Sequence, residues 1–386
     1  MSANSRIRSI DILRGVVMVL MAIDHVRVYS GLPPGGPTAG IFFTRWMTHF
    51  CAPWFAFLAG TGAFLYGRKL GDLGALARGL VTRGLMLVLL ELTVIRFSWT
   101  FNVAYSQFVL AGVIWMLGWS MVLLAGLVRL RTRTIGIIGI CLMLFQQIFG
   151  LLPRLLPPGI RDAIAPIWNF FYPSGAPGWQ AISILYVIVP WLGVMAAGYA
   201  FGAVITLEPA RRNRICVMLG ASAIALFLLL RTVDVYGNPR HWHVTEPSEI
   251  PALFRFINTN KYPASLQFLL MTLGPTILLL PLADRARGKI GELFATFGRV
   301  PMFYYLIHIP TIHLAAVIIS VVREGKVEPW LFANHPTMVP ASPEGYMWSL
   351  ALLYAVFFVV IAVLYFPCRW YARRKATNPA PWMRYI

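Results

Sequence analysis

The segment YMWSLALLYAVFFVVIAVLYF, residues 346–366, decides the fold class because it runs for 21 residues without a charged side chain. A helix of about 20 apolar residues crosses the hydrocarbon core of a bilayer. The whole chain of 386 residues has the same character, since 58% of it is hydrophobic and 12% is charged. Soluble domains carry about 25% charged residues. The composition therefore excludes a disordered chain, a disulfide-rich secreted domain and most soluble enzymes.

Apolar segments of this length recur along the chain and predict an all-α, polytopic integral membrane protein with one domain over residues 1–386. Helices are expected because backbone polar groups must be satisfied within a spanning segment, and the alternation of a barrel strand is absent. About ten transmembrane helices are predicted, near residues 10–29, 46–66, 84–100, 107–128, 134–152, 181–205, 215–232, 264–282, 300–322 and 346–366.

The net charge of +19 is interpreted mainly as a topology signal. About two thirds of the 33 Lys and Arg residues lie in short connections and at the termini, and these alternate with longer connections rich in Pro, Gly and Trp. Basic connections mark the cytoplasmic side, so both termini are predicted to be cytoplasmic. The bilayer is then the expected partner, and nucleic acid is not.

The four cysteines are scattered singly, so neither a zinc site nor a disulfide framework is predicted.

The first predicted span contains five Asp, Arg and His side chains that mark it as a candidate functional site, because burying an ionisable group in a bilayer costs several kilocalories per mole. Arg14 and His25 are eleven residues apart, which brings them within roughly 20° of one helix face and separates them by about 16 Å. Asp11 lies on the same stripe as Arg14. Asp11 and Arg14 could instead only anchor the helix start, and Asp24 could simply pair with Arg27.

Further ionisable residues lie in later spans: Arg45 and His49 in the second, Glu91 and Arg96 in the third, and His308 in the ninth. A run of small residues over 57–64 predicts that the first two spans pack together, which would bring His25 and His49 to similar depth. For His49 and His308, a structural hydrogen bond inside the bundle is the alternative to a role in the chemistry. No metal site is predicted.

The first span resembles the opening helix of the transmembrane acyltransferase superfamily, in the run RSIDILRG (8–15) followed by His25. The superfamily includes the heparan-α-glucosaminide N-acetyltransferase family and the bacterial acyltransferase family 3. The spacing of arginine, ten residues and histidine is similar to the signature of the latter. The stretch APWFAFLAG (52–60) resembles the second helix of the former, and weaker similarities cover GVIWMLG (112–118) and FGRVPMFYYLIH (297–308).

The resemblance implies transfer of an acetyl or other short acyl group from cytoplasmic acyl-coenzyme A to an amino or hydroxyl group of a sugar or glycoconjugate on the outer face. His25 would be the catalytic histidine and Arg14 its partner. The sequence departs from the lysosomal acetyltransferase, which has an asparagine where His25 stands and an aspartate where His49 stands, so N- and O-acylation both stay open. A bacterial inner (plasma) membrane is the implied location, and a homo-oligomer is left open.

The residues themselves allow this chemistry. His25 could act as general base or transient acyl carrier with Asp24 tuning it, while Arg27, Arg45 or His49 stabilises an oxyanion. Arg14, Arg68 and Lys69 are candidates for binding the phosphates of acetyl-coenzyme A. Two other classes stay open. One is a proton-coupled transporter that uses Asp24, His25 and Glu91, although no internal repeat is visible. The other is a non-catalytic assembly protein.

Overall fold

The computed structural model describes residues 7–36, 38–172, 182–243, 248–333 and 341–384, and most of them are helical. The α-helices in this part of the chain are α1 (Arg8–Ser30), α2 (Ala39–Trp46), α3 (Cys51–Leu70), α4 (Leu73–Leu90), α5 (Arg96–Thr100), α6 (Val113–Leu127), α7 (Thr132–Phe149), α8 (Pro158–Phe171), α9 (Ile188–Ile205), α10 (Pro209–Val233), α11 (Ala252–Ile257), α12 (Leu266–Leu278), α13 (Leu280–Arg285), α14 (Lys289–Arg299), α15 (Pro301–Glu324) and α16 (Leu350–Thr377). A 3₁₀ turn (Met47–Phe50) joins α2 to α3, and a π-helical turn (Glu91–Ile95) joins α4 to α5.

Seven helical segments among the described residues are long and apolar enough to cross a membrane: Ala39–Leu70, Thr132–Phe149, Ile188–Ile205, Pro209–Val233, Leu266–Arg285, Pro301–Glu324 and Leu350–Thr377. The chain is therefore a helical integral membrane protein. The predicted spans near 10–29, 84–100 and 107–128 coincide with helices outside this set. Of these helices, α1 carries charges along its length, α4 and α5 are separated by the π turn, and α6 has 15 residues. The total of ten and the side of the termini stay predictions.

Two of the predicted spans begin with a β-strand rather than with helix, so the prediction of helix throughout is wrong at these points. Strand β1 (Val109–Ala111) pairs in parallel with β2 (Ile182–Ile184), and the amide of Leu185 donates to the carbonyl of Ala111 at 3.1 Å. Each strand thus supplies hydrogen-bond partners for the other. Leu110 and Ala111 are buried. Non-helical backbone is tolerated at membrane depth where it is enclosed by protein or lines a cavity, and this pair meets that condition.

The small residues of α3 make their closest backbone contacts with α9, a partner not predicted from the sequence, while the predicted contact between the first two spans is also formed. A Cβ atom on Gly60 would lie 1.9 Å from the carbonyl oxygen of Met195, and one on Gly198 would lie 2.0 Å from that of Phe57. The two backbones are therefore in direct contact, as small residues permit. Helices α1 and α3 do touch, through a hydrogen bond from Cys51 Sγ to the carbonyl of Val17 at 3.1 Å.

We expect Gly60→Ala to destabilise the protein by about 1–3 kcal/mol, because the added methyl group overpacks the α3–α9 interface. Gly62→Ala is the matched control on the same helix, since a Cβ atom there meets nothing within 4 Å. Thermal unfolding of the two variants in detergent, followed by tryptophan fluorescence, measures the difference. Equal melting temperatures for the two variants would contradict this description of the interface.

Candidate functional site

A cavity of about 570 Å³ lies beside the second half of α1, and five of the ionisable residues predicted from the sequence line it. We call it the His25 cavity. Its walls come from α1, α2, α3, the π turn, the β1–β2 pair and the loop before α12. The acidic, basic and histidine side chains that line it are Asp24, His25, Arg27, Arg45, Glu91 and Lys261, and three tyrosines, Tyr186, Tyr262 and Tyr305, line it as well.

A hydrogen-bonded pair of histidines fixes the tautomer of His25. Nδ1 of His308 lies 2.7 Å from the carbonyl oxygen of Tyr305 and 3.1 Å from that of Tyr304. Carbonyl oxygens only accept, so this nitrogen carries the proton and Nε2 of a neutral His308 is an acceptor. Nδ1 of His25 lies 2.8 Å from that Nε2 and therefore donates to it. We assign the protons from this network. Nε2 of His25 is then left with its lone pair.

The imidazole of His25 has the surroundings of a base with one open nitrogen. The side chain lines the His25 cavity, and its ring stacks on His308 and meets Trp99 edge-on at 4.8 Å between centroids. Among the residues that the structure describes, none is a hydrogen-bond partner of Nε2. The arrangement leaves this nitrogen available to a molecule in the cavity.

Asp24 is held by arginines and not by its neighbour His25. Its carboxylate accepts a hydrogen bond from Nε of Arg27 at 2.7 Å, and Arg45 lies 3.9 Å away. Arg27 is buried and also donates to the carbonyl of Leu32 at 2.8 Å. The Asp24–Arg27 pair is therefore formed, and the contact that orients the His25 ring comes from His308. The structural hydrogen bond that the sequence offered as an alternative role for His308 is therefore present, and its partner is His25, which lines the cavity.

Glu91 and Arg96 have separate local partners that shape the cavity wall. Oε2 of Glu91 accepts from the amides of Ile114 and Trp115 at 2.8 and 3.2 Å, at the start of α6, where a negative charge is favourable. Arg96 is buried and donates to the carbonyls of Phe108 and Ala104 at 2.9 and 2.8 Å. It thereby holds the loop that leads into β1.

The structure does not bring the other predicted residues to the His25 cavity. His49 is buried, with Nδ1 3.2 Å from the carbonyl of Arg45 and its ring 5.5 Å from that of Phe268, outside the cavity wall. Arg68 and Lys69 are exposed at the end of α3. Within the described ranges, no group of three or more His, Cys, Asp or Glu side chains is placed to hold a metal ion.

A second cavity, of about 330 Å³, lies beside the first half of α1, and we call it the Arg14 cavity. Arg14 lines it, with its guanidinium 3.7 Å from Asp11 and 3.3 Å from the carbonyl of Gly298. Arg83 lines it as well and lies over the ring of Tyr66 at 5.1 Å.

The two cavities share two lining residues, Phe55 and Tyr305. These side chains form a common wall between the Arg14 cavity and the His25 cavity. Helix α1 thus contributes a polar side chain to each cavity, Arg14 to one and His25 to the other.

Sequence reasoning missed two features of the His25 cavity, namely Lys261 and the tyrosine pair beside it. Lys261 is 9% exposed and lies over the rings of Tyr186 and Tyr262. The hydroxyls of these tyrosines are 3.3 Å apart. Burial acts to raise the pKa of Tyr262, but the Lys261 and Arg45 cations outweigh it and hold that pKa below its ordinary value. No local pattern distinguishes Lys261 from other cations of the same connection, such as Arg255.

These features define a class: a polytopic helical membrane protein with a hydrogen-bonded histidine pair at one of two adjoining cavities. The family model described as heparan-alpha-glucosaminide N-acetyltransferase, catalytic, matches residues 6–232, and the chain belongs to this family of membrane acetyltransferases. The matched region includes Arg14, His25 and Glu91, whereas Lys261 and His308 lie beyond it. The comparison with curated proteins gave no match. The resemblance to acyltransferase family 3 stays a prediction.

We expect Arg96→Met to lower the melting temperature by several degrees, because the carbonyl of the buried residue Phe108 loses its donor and that of Ala104 keeps only its backbone donors. Each unsatisfied buried group costs about 1–3 kcal/mol. Arg129→Met removes an exposed arginine and is the matched control. Thermal unfolding of both variants in detergent measures the effect, and an Arg96 variant as stable as the control would show that this network does not hold the loop.

Proposed function

We propose that the protein is a membrane-embedded acyltransferase that moves an acetyl or other short acyl group from cytoplasmic acyl-coenzyme A to an amino or hydroxyl group of a sugar or glycoconjugate on the outer face. The observation that carries the proposal is the open Nε2 of His25 in a cavity that adjoins a second, arginine-lined cavity. Membership of the acetyltransferase family supports the reaction class.

In this proposal the Arg14 cavity receives the acyl end of the donor from the cytoplasm. Arg14 and Arg83 both line it, and guanidinium groups bind phosphates and polarise carbonyl oxygens well. These two arginines take the place of Arg68 and Lys69, which lie away from the cavity. The predicted topology, with ten spans and both termini cytoplasmic, puts this cavity on the cytoplasmic side of a plasma membrane.

The His25 cavity then receives the acceptor, and its volume of about 570 Å³ lies in the range of small-molecule sites. Nε2 of His25 takes the proton of the acceptor hydroxyl or amine as its oxygen or nitrogen bonds to the acyl carbon. The carbon–sulfur bond breaks, and the protonated His25 returns the proton to the coenzyme A thiolate. Arg45 and Tyr305 line the same cavity and are the candidate donors to the oxyanion.

We expect His25→Ala to lower acyl transfer by roughly 10²–10⁴-fold, the usual contribution of a general base. The variant should still insert and purify normally, because the side chain lines a cavity. His243→Ala is the matched control, since that histidine is exposed. Release of the coenzyme A thiol from acetyl-coenzyme A, measured with a panel of amino and neutral sugars, gives the rate.

An active His25→Ala variant would refute the assignment of the base. The transporter hypothesis makes a different prediction. Proteoliposomes without acyl-coenzyme A would take up a solute in response to a proton gradient. Labelled acetyl-coenzyme A would be neither hydrolysed nor attached to the protein.

We also expect the shared wall to limit the acyl chain. Phe55→Ala removes an aromatic ring from both cavities and should raise the rate with octanoyl-coenzyme A relative to acetyl-coenzyme A. Phe64→Ala, on the same helix but outside both cavity walls, should leave this ratio unchanged. The ratio of the two initial rates is the measurement. The same ratio in the Phe55 and Phe64 variants would show that the acyl group does not pass this wall.

A further inference from the structure

Lys261 is a buried cation that faces the His25 cavity without a carboxylate partner. Its residue is 9% exposed, and it lines the cavity. Within the described residues, its ammonium group contacts the faces of Tyr262 and Tyr186, at 5.3 and 5.8 Å from the ring centroids, and no carboxylate lies within 4 Å of it. Contact with aromatic rings compensates only part of the hydration free energy that an ammonium group loses when it is buried.

The two carboxylates of the same cavity are already engaged elsewhere. Asp24 accepts from Arg27 at 2.7 Å and lies 3.9 Å from Arg45. Glu91 accepts from two amides at the start of α6. The described lining of the cavity thus has three cationic side chains and two carboxylates. Lys261 is the cation that neither carboxylate contacts.

We propose that Lys261, flanked by Tyr186 and Tyr262, is the binding site for an anionic group, a carboxylate or a phosphate, on the acceptor sugar. An anion seated there would restore to the buried ammonium the charge-assisted hydrogen bonds that it lacks. The hydroxyl of Tyr186, which accepts from that of Tyr262, adds one donor beside it. The acceptor would be held at its charged group while a hydroxyl or amino group faces Nε2 of His25 in the same cavity. The description of the ligand as an acceptor rests on the proposed function, whereas the anion site itself does not.

Equilibrium binding without acyl-coenzyme A tests the site independently of catalysis. The full-length protein in neutral detergent is titrated with glucuronate, with glucose 6-phosphate and with glucose, and the melting temperature is measured at each concentration. We expect at least one of the anionic sugars to bind at least tenfold more tightly than glucose and to raise the melting temperature. Added salt should weaken this binding.

Substitution then assigns the preference to the lysine. Lys261→Met should reduce the preference for the anionic sugar at least tenfold, and Lys261→Arg should retain most of it. Lys326→Met removes an equal charge from an exposed position and should behave as the wild type. If Lys261→Met does not fold, Lys261→Arg carries the assignment, and equal binding of charged and neutral sugars by the wild type still overturns the site.

The outcomes separate the two proposals. Equal binding of charged and neutral sugars by the wild type, or an anion preference that survives Lys261→Met, overturns the anion site. An anion preference that depends on Lys261 in a protein whose His25→Ala variant transfers acyl groups normally upholds the site and refutes the assignment of His25 as the base.

Discussion

The hydrogen bond between the imidazoles of His25 and His308 is the interaction on which the rest of the site depends. It joins residues that are 283 positions apart, on α1 and α15, at a distance of 2.8 Å. Its direction is fixed from the far end, because the carbonyls of α15 require the proton on Nδ1 of His308. The protein backbone thus determines which nitrogen of His25 is basic. The close approach of α1 to α14 at Gly15, where a Cβ atom would lie 1.8 Å from a carbonyl oxygen, keeps α1 against the helix that precedes α15.

The ionisable residues inside the bundle fall into two groups with different physical roles. Glu91 and Arg96 are satisfied by backbone groups at most 24 positions away in the chain, and they hold the loop and strand that form one wall. Their charges are compensated locally, as buried charges must be. His25 and Lys261 present a nitrogen or a charge to a cavity instead. The first group stabilises the wall of the cavity, and the second is available to contact a bound molecule.

How much of this was predictable depends on how far apart in the chain the interacting residues are. The face shared by Arg14 and His25 follows from the geometry of one helix, so the spacing alone was sufficient to predict it. The identity of the neighbours was not. The run of small residues at 57–64 correctly indicates a close interface, but nothing in it specifies α9 over α1, because any helix with small residues can take that position. The β1–β2 pair, the His25–His308 bond and the placement of Lys261 depend on residues more than seventy positions apart, and no periodicity records such pairings.

The shared wall of Phe55 and Tyr305 also has an electrical consequence. A membrane potential falls across whatever separates the two aqueous sides, and one elementary charge moved through the whole of it exchanges about 2.3 kcal/mol per 100 mV. In the proposed topology, in which the Arg14 cavity opens to the cytoplasm and the His25 cavity to the outer face, the insulating layer at this point shrinks from the thickness of a bilayer to two aromatic side chains. The field there is correspondingly steep. In the proposed reaction, the proton that His25 takes up on one side of the wall and the thiolate that forms on the other would lie at the two ends of that field until the proton is returned, so the polarity of the membrane would bias the direction in which the charge separates.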